Sequence, residues 1–581
     1  MRKLSLLSAF KSLAKSEAGN MTMITALSAI PLFAAVGAAV DYANLSRDLT
    51  HFQAAIDSAL VAVVSSDKAS ITGLSGDALS TRMAELKTKA QKYIDENYTP
   101  LFPQTIPDTL NLAIDGQKVS ITATHQLPIT WMSMFGISDP VVTITSEVKK
   151  AARPIELVMV MDTTGSMGTT YMDQAKVAAR NLLTKIYGGD ASTVKENENV
   201  RVALVPFSGA VRLDTAAYDF DLSWIDTTGA ATVSKLNFLN YNGTTTGTNP
   251  TNFNNYAAWG TLKNSTNNAD IPWNGCVEAR LGAYATNDTA PGNGDTLFTP
   301  YFAPDEPTYN SSTGSFPNSY IGTSGTPNEN TGLASATVSA TSNPTQAQQL
   351  ERQSNLQKYG TTTTKRAISP ESSSTAGPWY NCAKSKVVPL TYNRSKVETG
   401  INNMTASGPT VIAEGLAWGW RVLSPTAPFT KVEAGPTQAA STISPYNDVR
   451  WQKIMVLMTD GENDVLSNGN TINTLNGSWY SAYGRGKATP VSSNRFGTTT
   501  SSAWNPALDT AMQTLCTNIK AQKITLYTVA FRVNSSTILN NLRTCATSDA
   551  HYSYAADGVA LGQIFNHIGE NVINTAIYIS K

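Results

Sequence analysis

The stretch Met159–Met167, with the sequence MVMDTTGSM, indicates the fold of this chain of 581 residues. An apolar run ends in an aspartate, two threonines, a glycine and a serine, and a segment with helical spacing follows. Open α/β folds bind ligands at the carboxyl ends of their strands, so the pattern predicts that Asp162, Thr164 and Ser166 lie at such an edge. Their hard oxygen atoms suit Mg²⁺ or Mn²⁺ better than zinc.

Buried strands and helices alternate through the C-terminal part of the chain, residues 151–581. Strands that alternate with helices predict an α/β domain with a mostly parallel sheet covered on both faces. The predicted strands are 155–161, 200–207, 453–459, 524–531 and 551–554, and the predicted helices are 171–187, 410–423, 507–520, a segment around 538–544 and a last helix from 561.

The charge balance narrows the class of protein. Lys and Arg number 43 and Asp and Glu also number 43, so the formal net charge is +0 and no nucleic-acid partner is expected. Charged residues make up only 15% of the chain, below the roughly 25% of ordinary soluble domains. A surface rich in Thr, Ser, Asn and Gly favours a protein outside the cytoplasm.

The N-terminal residues predict a membrane anchor. Residues 1–19 form a basic leader, and the uncharged stretch Met21–Val40 is long enough to cross a bilayer as a helix, which takes about 20 residues. Positive charge keeps the leader in the cytoplasm, so the chain after Asp41 is expected outside the inner membrane. The small residues of Ala34–Ala39 also permit a cleaved signal peptide, but the long leader favours an uncleaved anchor.

Helical spacing continues past the apolar stretch, so residues 20–65 are expected to form one rod, amphipathic over Asp41–Val64. The rod is either a simple stalk or a pilin-like packing helix. Residues 66–150 are interpreted as a small β module. Its predicted strands are 110–114 and 119–124, joined by an Asp-Gly hairpin turn, and 141–148.

An insertion of about residues 219–393 interrupts the α/β pattern. It is rich in Thr, Asn, Ser, Gly and Pro, a composition that by itself favours disorder. Disordered segments are poor in aromatic residues, however, so we expect a loop-rich inserted subdomain with little regular structure. The aromatic residues are Trp224, Trp259, Trp273, Tyr301, Phe302 and Trp379.

The chain has four cysteines, Cys276, Cys382, Cys516 and Cys545, without any Cys-x-x-Cys pair. This spacing disfavours zinc and thioredoxin-like chemistry, and an even number is consistent with disulfides in an oxidising compartment. Three pairings are possible, of which the most local joins Cys276 to Cys382 and Cys516 to Cys545. Free buried thiols are the alternative.

Two further segments can supply ligands. Thr410 follows Gly408 and Pro409 at the start of a predicted helix, and Asp460 follows a predicted strand and precedes Gly461. Singly, a threonine in this place is an ordinary helix cap and an aspartate before glycine an ordinary turn residue. Asp162, Thr164, Ser166, Thr410 and Asp460 follow one another in this order, each at a predicted strand end or helix start. This combination favours one shared site.

Asp162, Thr164, Ser166, Thr410 and Asp460 resemble the metal-ion-dependent adhesion site (MIDAS) of a von Willebrand factor type A domain. The resemblance implies a Rossmann-like fold with the site on top of the sheet. It implies that Thr164, Ser166 and Thr410 bind the ion through hydroxyls, and that Asp162 and Asp460 hold it through water. The ion would be Mg²⁺, or Mn²⁺ or Ca²⁺, and an Asp or Glu of a protein partner would complete its coordination.

The membrane helix and rod, Met21–Val64, resemble the TadE/TadG-like module of bacterial Flp pilus assembly, the tight-adherence system. Trp273–Arg280 and Gly415–Trp420 look like segments of the TadG-like type A domain. Pseudopilins of this system carry a Glu shortly after a Gly cleavage point, whereas Gly19 is followed by Asn20–Ile24, so the chain departs from that processing pattern.

The resemblance implies a non-enzymatic, single-pass protein of the inner membrane, with its bulk in the periplasm or at the cell surface. It would bind other pilus-assembly components. A surface adhesin that uses the same metal site directly is the first alternative, and a passive envelope scaffold is another.

An enzyme is a more remote alternative. Asp162–Ser166 is near the Asp-Lys-Thr-Gly-Thr phosphorylation sequence of P-type ATPases, and Asp460–Asp464 is near their Gly-Asp-Gly-x-Asn-Asp sequence. Thr163 in place of the Lys, Thr459 in place of the Gly and a single predicted span argue against an aspartyl-phosphate mechanism. The four histidines lie outside known catalytic motifs, and no Gly-x-x-x-x-Gly-Lys phosphate loop is present.

Overall fold

A computed structural model describes most of the chain, in two compact units, of which the larger is Arg153–Ile573. The described residues are 17–64, 76–99, 109–115, 118–149, 154–238, 254–305, 318, 320–321, 359, 362–369, 376–426, 428–465, 479–485, 495–496 and 501–574. The basic leader therefore lies outside the described residues, except for its last three positions.

The first unit is built on one continuous helix, α1 (Glu17–Val64), of 48 residues. Among the described residues it is the one helix long and apolar enough to cross a membrane, with a mean hydropathy of 2.1 over its most apolar window. Side chains such as Leu27 and Phe33 are exposed rather than packed against protein. An exposed apolar helix at the N-terminus is consistent with a membrane anchor.

The second half of α1 packs against a small α+β layer. Helix α2 (Gly76–Asn97) is followed by an antiparallel sheet of β1 (Thr109–Asp115), β2 (Lys118–Gln126) and β3 (Val141–Lys149), with β2 in the centre. The three strands are those predicted from the alternation of apolar residues. The apolar face of α1 is buried in this layer through Phe52, Ile56, Ala59, Leu60 and Val63.

Helix α2 was not predicted, because the segment was interpreted as β structure alone. Its signal is present in the sequence, where Leu86, Ala90 and Ile94 recur every four residues. All three are buried in the same cluster as Phe52 and Leu60 of α1. The pattern is weak because most other residues of α2 are polar or charged.

The larger unit has a six-stranded sheet. Its strands are β4 (Ile155–Asp162), β5 (Val200–Phe207), β6 (Val388–Thr391), β7 (Gln452–Thr459), β8 (Thr525–Phe531) and β9 (Tyr552–Ala555), in the order β6-β5-β4-β7-β8-β9. Every neighbouring pair is parallel except β6 and β5. In chain order this is 3-2-1-4-5-6, the doubly wound Rossmann-like arrangement, with its switch point between β4 and β7.

Strand β6 lies inside the predicted insertion, which was expected to span about residues 219–393 with little regular structure. Val388–Thr391 pairs antiparallel with β5 at the edge of the sheet. Pro389 lies within the run and lacks a backbone N–H, which disfavours a strand prediction. An edge strand tolerates such a residue because only one side of it must pair.

Helices cover both faces of the sheet, as the alternation predicted. Leu157, Met159 and Met161 of β4 are buried on one face, whereas Val158 and Val160 are buried in a separate cluster on the other. Burial on both faces explains the continuous apolar runs of these strands. The helices are α3 (Gly168–Tyr187), α4 (Arg394–Asn402), α5 (Ile412–Leu423), α6 (Ser501–Ala521), α7 (Ser536–Cys545) and α8 (Gly558–Asn574).

Helix α5 approaches the sheet closely through two glycines one turn apart. A Cβ atom at Gly415 would lie 2.6 Å from Phe207, and one at Gly419 would lie 2.5 Å from Val160. Neither position has room for a larger residue unless the sheet shifts. The close contact fixes α5, and with it the loop that carries Thr410, relative to the end of β4.

The described parts of the insertion contain short elements, as expected. They include one helix, Asn255–Trp259, the 3-10 helices Leu222–Trp224, Thr232–Lys235, Gly282–Thr286 and Gly294–Thr296, and strands of two or three residues, such as Cys276–Val277, Leu262–Asn264 and Arg366–Ile368. The six aromatic residues predicted to order the insertion are all buried. They belong to the same cluster as Val158 and α5, so the insertion shares its core with the sheet instead of forming one of its own.

The two segments that resemble a TadG-like type A domain lie in this shared core. Trp418 of α5 contacts Phe298 of the insertion, with ring centroids 4.7 Å apart. Glu278 is buried and accepts hydrogen bonds from Asn237 and Asn255, and it pairs with Arg495. Burial raises the pKa of Glu278, and the charge of Arg495 opposes that rise.

The four cysteines form two disulfides, Cys276–Cys382 and Cys516–Cys545, and none is free. The structure thus has the local pairing. The first disulfide ties together parts of the insertion 106 residues apart, and the second joins α6 to the last residue of α7.

Candidate metal centre

The topology of the sheet brings two aspartates to one place. Asp162 is the last residue of β4, and Asp460 follows the last residue of β7. The two strands are parallel neighbours in register from Gln452 to Met458, so their carboxyl ends lie side by side. This is the switch point of the sheet, where doubly wound folds bind their ligands.

Two hydroxyls from the loop after β4 join the aspartates. Thr164 and Ser166 lie at the short 3-10 helix Gly165–Met167 that leads into α3. The Thr164 Oγ1 and Ser166 Oγ atoms are 2.9 Å apart, and Ser166 Oγ donates to Asp460 Oδ1 at 2.7 Å. Asp162 and Thr164 are buried, whereas Ser166 is exposed, so the cluster is accessible to solvent on the Ser166 side.

Thr410 is held next to this cluster by backbone hydrogen bonds. Its N–H donates to the carbonyl of Asp464, and its carbonyl accepts from the N–H of Asp464, both at 2.8 Å. A Cβ atom built on Gly461 would lie 3.6 Å from Thr410 Oγ1 and 3.8 Å from Ser166 Oγ, so both hydroxyls face the same small volume. The structure therefore brings together all five residues that the sequence predicts, and their role as metal ligands stays a prediction.

The two carboxyl groups lie in an environment that disfavours negative charge. Burial raises the pKa of Asp460 to about 7, and the charge of Asp162 adds to this rise. Burial also raises the pKa of Asp162, although hydrogen bonds from Thr164 and Thr459 favour its ionised form. In the described part of the chain, neither aspartate forms an ion pair with a Lys, Arg or His.

The donor set fits a hard divalent cation. A cation would relieve the repulsion between the two carboxylates, and three hydroxyl oxygens lie beside them. No group of three or more His, Cys, Asp or Glu that could hold a metal occurs among the described residues. The oxygen donors of this site are the type that suits Mg²⁺ or Mn²⁺. The ligands would be Asp162, Thr164, Ser166, Thr410 and Asp460.

Several residues that position the site were missed from the sequence. Thr459 donates to Asp162 Oδ2 at 2.6 Å, while the Thr164 N–H donates to Asp162 Oδ1 at 2.8 Å, so both carboxylate oxygens are oriented. Asn463 accepts from the N–H of Ile412 at 2.9 Å and thereby links the loop after β7 to the start of α5. These residues lie next to predicted site residues, but sequence does not reveal where their side chains point.

Gly408 also has a positioning role. It adopts a positive φ of 81°, and its carbonyl accepts from the N–H of Gly165 at 2.9 Å. The backbone of the Thr410 loop is thus hydrogen-bonded directly to the loop after β4. A residue with a side chain would be strained at this φ, which explains the glycine before Pro409.

Comparison with known proteins gives one family match and several similar structures. Residues 19–66 match the family model described as putative Flp pilus-assembly TadE/G-like. No curated protein matches the chain. The pilus adhesin SpaC from Lactobacillus rhamnosus GG is 11% identical, with a TM-score of 0.30 over 81% of this chain and 35% of that one. This chain thus spans about a third of the length of the SpaC structure.

Two further solved structures are similar at the same low level. The vWF domain of the type V pili tip protein Mfa5 from Porphyromonas gingivalis is 11% identical, with a TM-score of 0.28 over 73% of this chain and 96% of that one. Proximal thread matrix protein 1 from the mussel byssus, with a zinc-occupied MIDAS motif, is 8% identical, with a TM-score of 0.24 over 74% and 48%. The strand order of Arg153–Ile573 itself shows its Rossmann-like fold. The chain has a TadE/G-like Flp pilus-assembly segment at its N-terminus, followed by an α/β unit of Rossmann-like topology.

Proposed function

We propose that this chain is a membrane-anchored, non-enzymatic pilus-assembly protein whose α/β unit binds an acidic protein partner through a divalent cation. The TadE/G-like segment supports a pilus-associated role. The observation that carries the metal site is the convergence of two carboxyl groups and three hydroxyls at the switch point of the sheet. Mg²⁺ is the preferred ion, with Mn²⁺ or Ca²⁺ as alternatives.

Each residue of the site has a distinct part in this function. Thr164, Ser166 and Thr410 offer neutral hydroxyl oxygens, and Asp162 and Asp460 supply the negative charge that attracts the cation. When bound, the ion presents an open coordination position that a carboxylate of the partner can fill. Since Ser166 is the exposed member, we expect the partner to approach from its side.

The anchor and the disulfides support a location outside the cytoplasm. Helix α1 would span the inner membrane once, with the larger unit in the periplasm or at the cell surface. Two disulfides, one of them closing a loop of 106 residues, suit an oxidising compartment. The acidic partner would then be another component of the pilus-assembly machinery in the same compartment.

An aspartyl-phosphate enzyme fits the geometry less well. Asp162 is buried and both of its carboxylate oxygens already accept hydrogen bonds. Thr163, which stands in place of the P-type ATPase lysine, is buried and donates to the carbonyl of Phe207. An acid-stable, hydroxylamine-sensitive adduct on Asp162 after incubation with labelled nucleotide would support the enzyme and contradict the proposal.

Calorimetry with the purified full chain tests the metal site. We expect heats of binding for Mg²⁺, Mn²⁺ or Ca²⁺ with the wild type and their loss in Asp460→Ala. Asp173→Ala, on the outside of α3, is the matched control and should bind as the wild type does. Equal binding by Asp460→Ala and the wild type would contradict the assigned ligands.

Genetics in the source bacterium tests the biological role. Deletion of an assembly protein should abolish visible pili, whereas deletion of an adhesin should leave pili and remove attachment. Restoration of pili by the wild-type gene, but not by Asp162→Ala, would tie assembly to the metal site. If Asp162→Ala supports both pili and attachment, the chain is a passive scaffold and the proposal is wrong.

A further inference from the structure

The loop that joins β2 to β3 in the first unit exposes a group of large apolar side chains. Residues 127–138 of this loop contain no charged residue. Exposed apolar side chains that cluster in this way mark a surface that contacts another protein or a membrane. The exposed fractions are 46% for Trp131, 78% for Met134, 56% for Phe135 and 45% for Ile137.

The loop is held in a defined conformation. At its base, the N–H of Leu127 donates to the carbonyl of Pro140 at 2.9 Å, and the N–H of Ile129 donates to Asp139 at 3.0 Å. At its tip, Met132–Phe135 forms a 3-10 helix that ends at Gly136, which has a φ of 81°. The apolar side chains are therefore presented by an ordered tip.

The tip of the loop is fixed to one position on α1. The carboxylate of Asp41, which is buried, accepts hydrogen bonds from the N–H groups of Thr130, Trp131 and Met132 at 3.2, 2.9 and 2.7 Å. A Cβ atom at Gly37 would lie 2.7 Å from Trp131 Cβ, so the glycine allows the loop to touch the helix. The contact thus lies at Gly37–Asp41.

This position is where α1 would leave a bilayer. Asp41 is the first charged residue after Glu17, and the twenty uncharged residues that end at Val40 extend about 30 Å as a helix, the thickness of the hydrocarbon core. Tyr42, the next residue, is exposed as well. Trp and Tyr side chains are enriched at this level of membrane proteins, because one end of each ring system is apolar and the other polar.

We propose that loop 127–140 is a second membrane contact, in which Trp131, Met134, Phe135 and Ile137 insert into the boundary between headgroups and acyl chains. The partner is the lipid surface at the point where α1 emerges, and the contact rests on the membrane anchor of the proposed function. Backbone N–H groups must be hydrogen-bonded within the protein if they are to enter a membrane. Asp41 accepts hydrogen bonds from three N–H groups at the tip of the loop. Together, loop and helix would fix the depth and rotation of α1.

Lipid quenching of a fluorophore on the full chain tests this contact. Since the chain has no free cysteine, single variants can be labelled and reconstituted in phosphatidylcholine and phosphatidylglycerol vesicles. A label on Met134→Cys reports the depth of the loop, and a label on Ile30→Cys reports the middle of the proposed membrane span. Ser58→Cys is the control, exposed on α1 and about 25 Å beyond Asp41.

The expected pattern differs at each position. A nitroxide near the headgroup should quench the label at 134 most strongly, one in the middle of the acyl chain should quench the label at 30, and neither should quench the label at 58. If the label at position 30 is quenched but the label at position 134 is not, as at position 58, the proposed loop contact is wrong, although the membrane anchor is supported. If 30 is not quenched, the anchor fails too. Protection of 134 from a water-soluble thiol reagent in cells but not in vesicles would assign the loop to a protein partner and overturn the proposal.

Discussion

Ser166 donates a hydrogen bond of 2.7 Å to Asp460, which lies 294 residues later in the chain. This bond joins the loop after β4 to the loop after β7, the two strands that flank the switch point of the sheet. Thr164 Oγ1 contacts Ser166 Oγ, and the backbone of Thr410 is hydrogen-bonded to that of Asp464 in the loop after β7. The bond between Ser166 and Asp460 therefore lies at the centre of the candidate metal site. The geometry of this site can be tested through the residues that hold it.

The Thr459 hydroxyl orients Asp162, so its removal should weaken metal binding without removing a ligand. We expect Thr459→Val to reduce Mg²⁺ affinity about 10- to 100-fold, the usual effect of losing a hydrogen bond to a ligand. Calorimetry measures the change. Thr528→Val is the control, since this buried threonine of β8 donates to the carbonyl of Leu542 away from the site and its loss should leave affinity unaltered.

Mg²⁺ should stabilise the larger unit against heat. Binding to the folded state alone raises the free energy of unfolding by about 2.7 kcal/mol when the ion is at 100 times its dissociation constant. Differential scanning fluorimetry with and without EDTA should therefore show a higher Tm with Mg²⁺. Asp162→Ala should lose this difference; a variant that keeps it would show that the stabilising ion binds elsewhere.

Alanine substitution at two helical glycines should have opposite effects on stability, because the glycine on α5 approaches the sheet closely. Gly419→Ala would place a methyl group 2.5 Å from Val160, and overpacking of this kind costs about 1–3 kcal/mol. Gly562→Ala in α8 meets its nearest atom at 3.5 Å and should stabilise the helix by about 0.5–1 kcal/mol. Denaturant unfolding followed by tryptophan fluorescence compares the two. Equal stability of the variants would contradict the close contact.

The disulfide between α6 and α7 should contribute measurably to stability. Closure of a loop of 29 residues lowers the entropy of the unfolded chain and is worth about 3–4 kcal/mol on the loop-entropy account. The double variant Cys516→Ser and Cys545→Ser should therefore unfold at lower denaturant concentration than the wild type. Dithiothreitol should reduce the difference, because it opens the same bond in the wild type.

Most of the sheet could be predicted because its strands are buried on both faces. Ile155–Asp162 and Val200–Phe207 are apolar almost throughout, and short apolar runs of this kind between helical segments are typical of buried parallel strands. The convergence of the five candidate residues could be predicted for a related reason: each lies at or near the end of a predicted strand or the start of a predicted helix. A parallel sheet then brings the ends of β4 and β7 together whatever the length of chain between them.

The parts that were missed depend on information that local sequence lacks. Strand β6 is short and contains Pro389, which disfavours a strand prediction. Its place at the edge of the sheet is recognised only from its pairing with β5. Helix α2 has only a weak local signal, the spacing of Leu86, Ala90 and Ile94, because most of its other residues are polar or charged. Thr459 could not be assigned because the direction of its hydroxyl depends on where Asp162 lies in three dimensions.

The shared core of insertion and sheet limits how this protein can be shortened. Trp418 on α5 contacts Phe298, and both belong to one buried cluster with Trp259 and other aromatic residues of the insertion. A version trimmed of these residues would leave a wide apolar surface in water on the helix next to the Thr410 loop. Fragments for crystallography should therefore keep the described aromatic residues of this insertion, although its polar composition alone suggests that it is dispensable.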